Sequence, residues 1–201
     1  MLSNNFEDLV WLFQSDNKNR NIIRQNFNEA AFLWKMVRMT SGPILEIGRK
    51  YGGSTVLLLS AGSGRHVTSI DLYPKHNPLC ENIFKNLENN NLYLITGDSR
   101  KELKNQQFGF MFVDGDHSYD GVKADIYTHW KNLKTFNNND AIVVFHDAVP
   151  NDGLKYKHEI NHADGVLKLC NSLVSNKCAS IIGSAGSSLA LKKTNELPSN
   201  L

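Results

Sequence analysis

Short apolar segments alternate with helical patterns over most of the chain. The helical patterns occur at residues 53–61, 78–89, 119–133 and 158–174. The apolar segments are Ile44–Ile47, His66–Ile70, Leu92–Thr96, Phe108–Val113, Ala141–Phe145, Ala179–Gly183 and Leu189–Lys192. Alternation of this kind is typical of βαβ units that share one sheet. The pattern therefore predicts an α/β fold with a doubly wound, mostly parallel sheet of seven strands.

Residues 1–40 follow a different pattern, with apolar side chains at helical spacing. Phe6, Leu9 and Phe13 repeat in this way, and Phe27 and Trp34 do so further along. The spacing predicts two N-terminal helices that either cover the sheet or form a lid or a dimer surface. The α/β core then spans 41–193, and 194–201 is predicted to be a loose tail. Because 201 residues with 41% hydrophobic content can bury one core, we expect a single domain over 1–201.

The overall charge favours a small-molecule ligand over a nucleic acid. The 22 basic and 20 acidic residues leave a net charge of +2, and no cluster of Lys or Arg stands out. Cys80, Cys170 and Cys178 are odd in number and lack the paired spacing of a metal site. No leader-like start or membrane-spanning apolar run is present. We expect a cytoplasmic protein without a membrane partner, and a homo-oligomer is left open.

A glycine-rich turn follows the first predicted strand. It contains Gly48, Gly52 and Gly53 and leads to Ser54, which can serve the exposed backbone groups at the start of a helix. The glycines do not follow the G-x-G-x-x-G spacing of dinucleotide enzymes. Glu46 lies just before the turn, where a carboxylate would repel a pyrophosphate and attract a cation. The turn therefore favours a positively charged cofactor.

Acidic residues also occur at the ends of the next two predicted strands. Asp71 is placed where a carboxylate accepts both hydroxyls of a ribose in nucleotide-binding βαβ folds. Asp98 and Ser99 follow the third strand and could hydrogen-bond an adenine. A nucleoside that carries positive charge fits this set of residues. S-adenosylmethionine, with its sulfonium and ammonium groups, is such a ligand.

Ionisable residues are concentrated after two later strands. Asp114, Asp116 and His117 follow one buried strand, and His146 and Asp147 follow another. Strand ends that face a crevice are where open α/β sheets bind ligands. We therefore expect the chemistry of the protein at these positions.

Together these motifs resemble the class I S-adenosylmethionine-dependent methyltransferases. The segments that carry the resemblance are Leu45–Ser54, Ile70–Asp71, Gly97–Ser99, Val113–Tyr119 and Val144–Asp147. The chain is most similar to a small bacterial family that contains Asp-Gly-Asp-His-Ser-Tyr, which is related to sugar O-methyltransferases and more distantly to catechol O-methyltransferase. The resemblance covers about residues 40–193 and implies a Rossmann-like methyltransferase fold.

The resemblance also implies a site for a divalent cation. The fold places the strands that end at Ile47, Val113 and Phe145 side by side, about 4.8 Å apart, which brings Asp114 near His146 and Asp147. Metal-dependent relatives have acidic residues at the matching positions, and such oxygen sites favour Mg²⁺ or Mn²⁺. The imidazole of His146 stands where the relatives have a carboxylate. It makes Mn²⁺, Fe²⁺ or Zn²⁺ alternatives, and a site without metal is a further one.

Two residues are candidates for the base that deprotonates an acceptor hydroxyl. The similarity to sugar methyltransferases indicates Asp116, and the similarity to catechol O-methyltransferase favours His117, whose ordinary pKa suits general base catalysis near neutrality. The expected function is O-methylation of a small molecule or a sugar. The alternatives are a nicotinamide-dependent oxidoreductase and a non-catalytic protein that binds S-adenosylmethionine.

Overall fold

A seven-stranded sheet forms the centre of the protein. The computed structural model describes residues 2–14, 22–87, 91–103, 106–149 and 157–198. The strands are β1 Ile44–Ile47, β2 Val67–Asp71, β3 Leu92–Thr96, β4 Phe110–Val113, β5 Ile142–Phe145, β6 Ala179–Ala185 and β7 Ser188–Lys193. Their order is β3-β2-β1-β4-β5-β7-β6. Strands β3 to β5 in this order pair in parallel, whereas β7 is antiparallel to both of its neighbours. The predicted doubly wound, mostly parallel sheet is confirmed.

Six α-helices flank the sheet among the described residues. They are α1 Phe27–Arg38, α2 Gly53–Gly62, α3 Pro78–Lys85, α4 Ser99–Glu102, α5 Tyr119–His129 and α6 Lys157–Ser175. Short 3-10 helices occur at Phe6–Phe13 and Trp130–Asn132. The sequence analysis did not predict α4, a single turn that begins where the Asp98 side chain accepts a hydrogen bond from the Arg100 amide. No helix in the described parts of the chain is both long and apolar enough to cross a bilayer.

The two predicted N-terminal helices differ in type. The second is α1, which begins with a capping box in which the Asn26 side chain accepts from the Glu29 amide and the Glu29 side chain accepts from the Asn26 amide. The first is a 3-10 helix of eight residues, and its N-cap residue Asn5 makes no side-chain capping bond. Short segments without such a cap form the tighter 3-10 helix more readily than a regular α-helix.

Each face of the sheet is covered by its own apolar core. Phe110 and Phe112 of β4 point into a core shared with the N-terminal 3-10 helix, α1, α2 and α3. Met111 and Val113 point into a second core shared with α5 and α6. Burial on both faces explains why the parallel strands appear in the sequence as continuous apolar runs.

Part of the predicted tail packs against the domain. The indole Nε1 of Trp130 donates a hydrogen bond to the Asn195 carbonyl oxygen at 2.9 Å. Lys193 and Lys134 form ion pairs with Glu196 at 2.7 and 2.9 Å. The prediction of a loose tail from residue 194 is therefore wrong for these residues, because a buried tryptophan and two lysines hold them. Residues 199–201 lie outside the described residues.

Neighbouring strand ends approach each other closely at Gly48. This residue follows β1, has a φ of 91°, and its α-carbon lies so near β4 that an added Cβ would overlap the carbonyl group of Asp114. Both the backbone conformation and the lack of space require glycine here. The turn after β1 and the acidic residue after β4 are therefore held together by backbone packing.

Gly48→Ala should reduce the free energy of unfolding by about 1–3 kcal/mol more than Gly64→Ala does. The two glycines have similar left-handed φ values, 91° and 85°, but an added Cβ at Gly64 would meet nothing within 4 Å. The difference between the two variants in the free energy of unfolding, measured by urea denaturation, therefore reports the cost of the overlap with Asp114. Equal losses of stability would show that the approach of the two strand ends is not tight.

Candidate active site

A cleft of about 1180 Å³ lies at the carboxyl edge of the parallel strands. Each of these five strands contributes to its lining, through Gly48 after β1, Asp71 in β2, Asp98 after β3, Asp114 after β4 and His146 after β5. A nucleoside together with a second small ligand fits within such a volume. The N-terminal segment Ile22–Asn26 closes one side of the cleft, and we call it the N-terminal strap.

The glycine turn packs against the N-terminal strap and also lines the cleft. An added Cβ at Gly53 would lie 2.6 Å from the carbonyl oxygen of Ile22 and from the α-carbon of Ile23. Gly53 and Ser54 line the cleft, whereas Gly52 does not and packs against Phe84. The sequence interpretation assigned both glycines to cofactor binding. The structure shows a packing reason for each of them.

Glu46 lies beneath the turn and is fully buried. Its carboxylate accepts hydrogen bonds from the hydroxyl groups of Ser54, Thr55 and Ser69. Burial raises the pKa of Glu46, although these hydrogen bonds oppose the shift. The side chain ties β1 to β2 and to the start of α2, and Glu46 is not among the residues that line the cleft. Its contact with a cationic cofactor therefore stays a prediction.

Asp71 lines the cleft at the end of β2. One carboxylate oxygen accepts hydrogen bonds from the amides of Arg49 and Lys50 at 2.8 and 2.7 Å, and the other accepts from the amide of Tyr73 at 2.7 Å. Three backbone donors thus fix the orientation of this carboxylate next to the glycine turn. Such a fixed acceptor is suited to a ribose.

The predicted adenine site includes an acid that the sequence analysis missed. Asp98 forms an ion pair with Arg100, Nε to Oδ1, at 2.7 Å, and Ser99 donates a hydrogen bond to Oδ1 of Asp125 at 2.5 Å. Asp98, Ser99 and Asp125 all line the cleft, and burial raises the pKa of Asp125. The available signal was an acidic residue on the buried side of α5, next to Ile126. The sequence analysis predicted this helix but gave its acid no role.

Two histidines and two acids converge at the ends of β4 and β5. We call Asp114, His117, His146 and Asp147 the strand-end cluster. Oδ1 of Asp114 lies 3.3 Å from Nε2 of His117 and 3.2 Å from Nδ1 of His146. Oδ2 of Asp147 lies 3.5 and 3.4 Å from the same two nitrogens. The sheet register therefore brings Asp114 next to His146 and Asp147, as the resemblance implied, and His117 joins them from the turn after β4.

The backbone at the end of β5 contributes to this convergence. Asp147 has a φ of 51°, a left-handed conformation that costs a residue with a side chain about 1–3 kcal/mol.

Asp116 lies nearby and also lines the cleft, but its Oδ1 accepts a hydrogen bond from the Ser118 amide at 2.9 Å. Asp116 thus helps to shape the turn into α5, and its role as a base stays a prediction.

Two further residues of the site come from outside the sheet. Nε2 of Gln25, in the N-terminal strap, donates a hydrogen bond to Oδ2 of Asp114 at 2.8 Å. Glu29 of α1 lies with Oε2 3.4 Å from Nε2 of His146, and its Oε1 accepts hydrogen bonds from the amide and hydroxyl of Ser187 at 2.7 and 2.9 Å. Local sequence signals reveal only the capping role of Glu29. The sequence contains no local signal for its contact with His146, which is 117 positions away.

The charges of the strand-end cluster stabilise one another. Burial alone would lower the pKa of His146, but the attraction of Asp114 and contacts with Asp147 and Glu29 raise it well above the ordinary value. Burial alone would raise the pKa of Asp114, yet the charge of His146 and the contact with His117 bring it below its ordinary range. The pKa of His117 is also raised, against its burial, by Asp114 and Asp147. The cluster therefore holds imidazolium next to carboxylate near neutral pH.

The donor set of this cluster fits a divalent cation. Asp114, His117 and Asp147 each offer one ligand atom, and these atoms lie within 4.8 Å of one another. Two carboxylate oxygens with one imidazole nitrogen suit Mn²⁺, Fe²⁺ or Zn²⁺ as well as Mg²⁺. The predicted set contained His146 in place of His117. In the structure Nδ1 of His146 lies 3.2 and 3.4 Å from the same two acids while its Nε2 faces Glu29, so His146 as a ligand stays a prediction and His117 is a second nitrogen donor.

Comparison with known proteins places the site in a family context. A family model described as "Methyltransferase domain" matches residues 45–148. No protein of curated function matches the sequence significantly. The matched region contains every residue of the strand-end cluster but neither Gln25 nor Glu29.

Solved methyltransferase structures have a similar fold. A methyltransferase from Podospora anserina bound to S-adenosylhomocysteine has a TM-score of 0.69 at 14% identity, over 94% of this chain and 87% of the other. An O-methyltransferase from Bacillus cereus in complex with S-adenosylhomocysteine has a TM-score of 0.59 at 19% identity, over 84% and 82%. An O-methyltransferase of tomaymycin synthesis from Streptomyces achromogenes, in complex with S-adenosylmethionine, has a TM-score of 0.60 at 17% identity, over 85% and 82%. At these identities the likeness concerns the fold.

The protein should lose stability as the pH rises above about 6.5, the ordinary pKa of histidine. A group whose pKa is raised on folding stabilises the folded state fully below its unfolded pKa, and this contribution disappears as the pH passes the folded pKa. The raised pKa values of His146 and His117 place this loss on the alkaline side. Each unit of difference is worth about 1.4 kcal/mol. Thermal unfolding at a series of pH values from 6 to 9 measures the effect.

His146→Asn should flatten this pH dependence because it removes the titrating group with the strongest partners. His66→Asn is the matched control, since His66 is exposed and does not line the cleft. That variant should keep the slope of the wild type. Equal slopes in the wild type and His146→Asn would contradict the assignment of a buried charge to His146.

Proposed function

The chain belongs to the methyltransferase-domain family, and on this basis we propose that it transfers the methyl group of S-adenosylmethionine to a hydroxyl oxygen of a small molecule or a sugar. One observation carries the proposal. The carboxylate of Asp71, suited to a ribose, and the strand-end cluster, suited to proton transfer, line the same cleft at the carboxyl edge of the sheet. Membership of this family argues against the nicotinamide-dependent alternative.

In the proposed complex the cofactor lies along the ends of β1, β2 and β3. Asp71 would accept hydrogen bonds from the ribose hydroxyls. The polar side chains of Asp98, Ser99 and Asp125 would bind the adenine. Gly48 and Ser54 would contact the methionine part, and the carboxylates of the strand-end cluster would attract the positive charge of the sulfonium. Complexes of the similar solved structures with S-adenosylmethionine or its demethylated product support this choice of cofactor.

The proposed reaction is an in-line displacement at the methyl carbon. The acceptor oxygen forms a bond to the methyl group while the bond between carbon and sulfur breaks, which leaves neutral S-adenosylhomocysteine. His117 takes the hydroxyl proton, and Asp114 and Asp147, both within 3.5 Å of its Nε2, stabilise the imidazolium that results. Orientation of the reactants and preorganised charge supply most of the acceleration.

Asp114, His117 and Asp147 would be the residues that hold a divalent cation, which would polarise the acceptor hydroxyl as a Lewis acid. In that arrangement Nε2 of His117 is a ligand, and Asp116 is the remaining candidate base. Binding of Mn²⁺ measured by calorimetry, in the wild type and in His117→Ala, distinguishes the two arrangements. Only the arrangement with a metal requires the histidine for Mn²⁺ binding.

Asp71→Ala should weaken S-adenosylhomocysteine binding by about 100-fold, because it removes a charged acceptor for two hydroxyl groups. Isothermal titration calorimetry measures the affinity, and circular dichroism shows whether the fold persists. Asp140→Ala is the control, since Asp140 pairs with Lys192 at 2.9 Å on the surface and does not line the cleft. An unchanged affinity in Asp71→Ala would contradict the proposed cofactor site.

His117 as the base predicts a rate that rises with pH. The imidazole must be neutral to accept a proton, and its pKa is raised, so kcat/KM should reach its plateau above about pH 6.5. His117→Gln should lower kcat by about 10²–10⁴-fold and abolish this limb of the profile. The assay follows S-adenosylhomocysteine formation with a panel of phenolic and sugar acceptors. A variant that keeps both the rate and the profile would exclude His117 as the base.

A further inference from the structure

Three exposed basic side chains line the cleft next to the glycine turn, in addition to Arg49, which is buried and donates a hydrogen bond to the Ser69 carbonyl oxygen. They are Arg24 of the N-terminal strap, Lys50 of the turn and Lys75 after β2, and all three are exposed. The amide of Lys75 donates a hydrogen bond to the carbonyl oxygen of Lys50 at 2.8 Å, which fixes these two residues side by side. We call the three residues the basic triad.

The basic triad is close enough for its charges to repel one another. Partial burial lowers the pKa of Lys50, and the neighbouring charges of Arg24 and Lys75 lower it further. Asp114 and Asp71 act in the opposite direction, so Lys50 stands between the ribose side and the reaction side of the cleft. Three like charges at one place attract an anion.

The protein itself provides no ion pair for the basic triad among the described residues. The ion pairs of the cleft involve Asp98 with Arg100 and the carboxylates around His117 and His146. Other acids of the cleft are satisfied by hydrogen bonds, as Asp71 is by three backbone amides and Asp125 by Ser99. The polar contact of the triad that remains is Lys75 over the ring of Tyr51, 5.8 Å from its centroid. The basic triad is therefore available to the anionic group of a ligand.

The cofactor does not carry a net negative charge. S-adenosylmethionine carries a sulfonium and an ammonium group against one carboxylate, so its net charge is positive. We infer that the methyl acceptor is an anion, and that Arg24, Lys50 and Lys75 bind its phosphate or carboxylate group at the mouth of the cleft. This inference rests on the proposed function. It narrows the acceptor from any hydroxyl compound to one with an anionic substituent.

Inorganic pyrophosphate serves as the probe, since it offers anionic oxygens without a methyl-accepting hydroxyl. Calorimetry on the full chain, with and without S-adenosylhomocysteine, measures its affinity for the wild type and for the triple variant Arg24→Gln, Lys50→Gln, Lys75→Gln. We expect the triple variant to bind at least about tenfold more weakly, because charge-assisted contacts to phosphate oxygens are lost. Binding to the wild type should weaken as salt is added, since the triad is exposed.

A second triple variant controls for net charge. Lys35→Gln, Arg38→Gln and Lys85→Gln removes the same charges from exposed positions that do not line the cleft, and should bind pyrophosphate like the wild type. Equal affinities in the two triple variants, or no binding to the wild type, would overturn the inference.

The affinity for S-adenosylhomocysteine separates the inference from the function on which it rests. We expect the triad variant to bind this product within about twofold of the wild type, because the triad serves the acceptor. If product binding falls while pyrophosphate binding persists, the triad serves the cofactor carboxylate and the inference is wrong. If the wild type binds pyrophosphate through the triad but does not bind S-adenosylhomocysteine, the proposed function fails and the anion site stands.

Discussion

The imidazolium of His146 is the interaction on which the arrangement of the candidate site depends. It lies among three carboxylates that come from separate parts of the chain: Glu29 from α1, Asp114 from the end of β4 and its neighbour Asp147. Without a positive charge between them, these acids would repel one another in a largely buried place. A protonated histidine thus holds the N-terminal helix, the sheet edge and the turn after β5 in one geometry.

This charge changes the meaning of the histidine at position 146, where the resemblance to metal-dependent O-methyltransferases predicted a carboxylate. A carboxylate at position 146 would make the group more negative and more dependent on a cation. The imidazolium supplies one positive charge from within the chain. Asp114, His117 and Asp147 are then the residues that each offer one ligand atom to a cation. The candidate cation site and the candidate base therefore share His117. This overlap follows from the geometry, because Nε2 of His117 faces Asp114 and Asp147, which are also the two acids of the candidate cation site.

The sheet and its edge could be predicted because their signals are local. Apolar runs gave the strands, and residues directly after Val113 and Phe145 had to meet once those strands were neighbours. The contribution of the N-terminal strap could not be predicted, since Gln25 and Glu29 reach the site through contacts with residues 89 and 117 positions away. Asp125 was an intermediate case, because an acid next to Ile126 in the predicted helix was visible in the sequence but was given no role. Glu46 shows a further limit, because its position near the end of β1 says nothing about the three hydroxyl groups that donate hydrogen bonds to it.

The contact of Gly53 with Ile22 and Ile23 has a consequence for how relatives of this chain are to be compared. The family model begins at residue 45, so the glycine lies inside the matched region and the backbone that requires it lies outside. A homologue with a bulkier residue at this position need not have a damaged glycine turn. It must instead route its N-terminal residues differently, and with them whatever takes the place of Gln25 and Arg24. The identity of this one residue is therefore a marker of how the N-terminal side of the cleft is built.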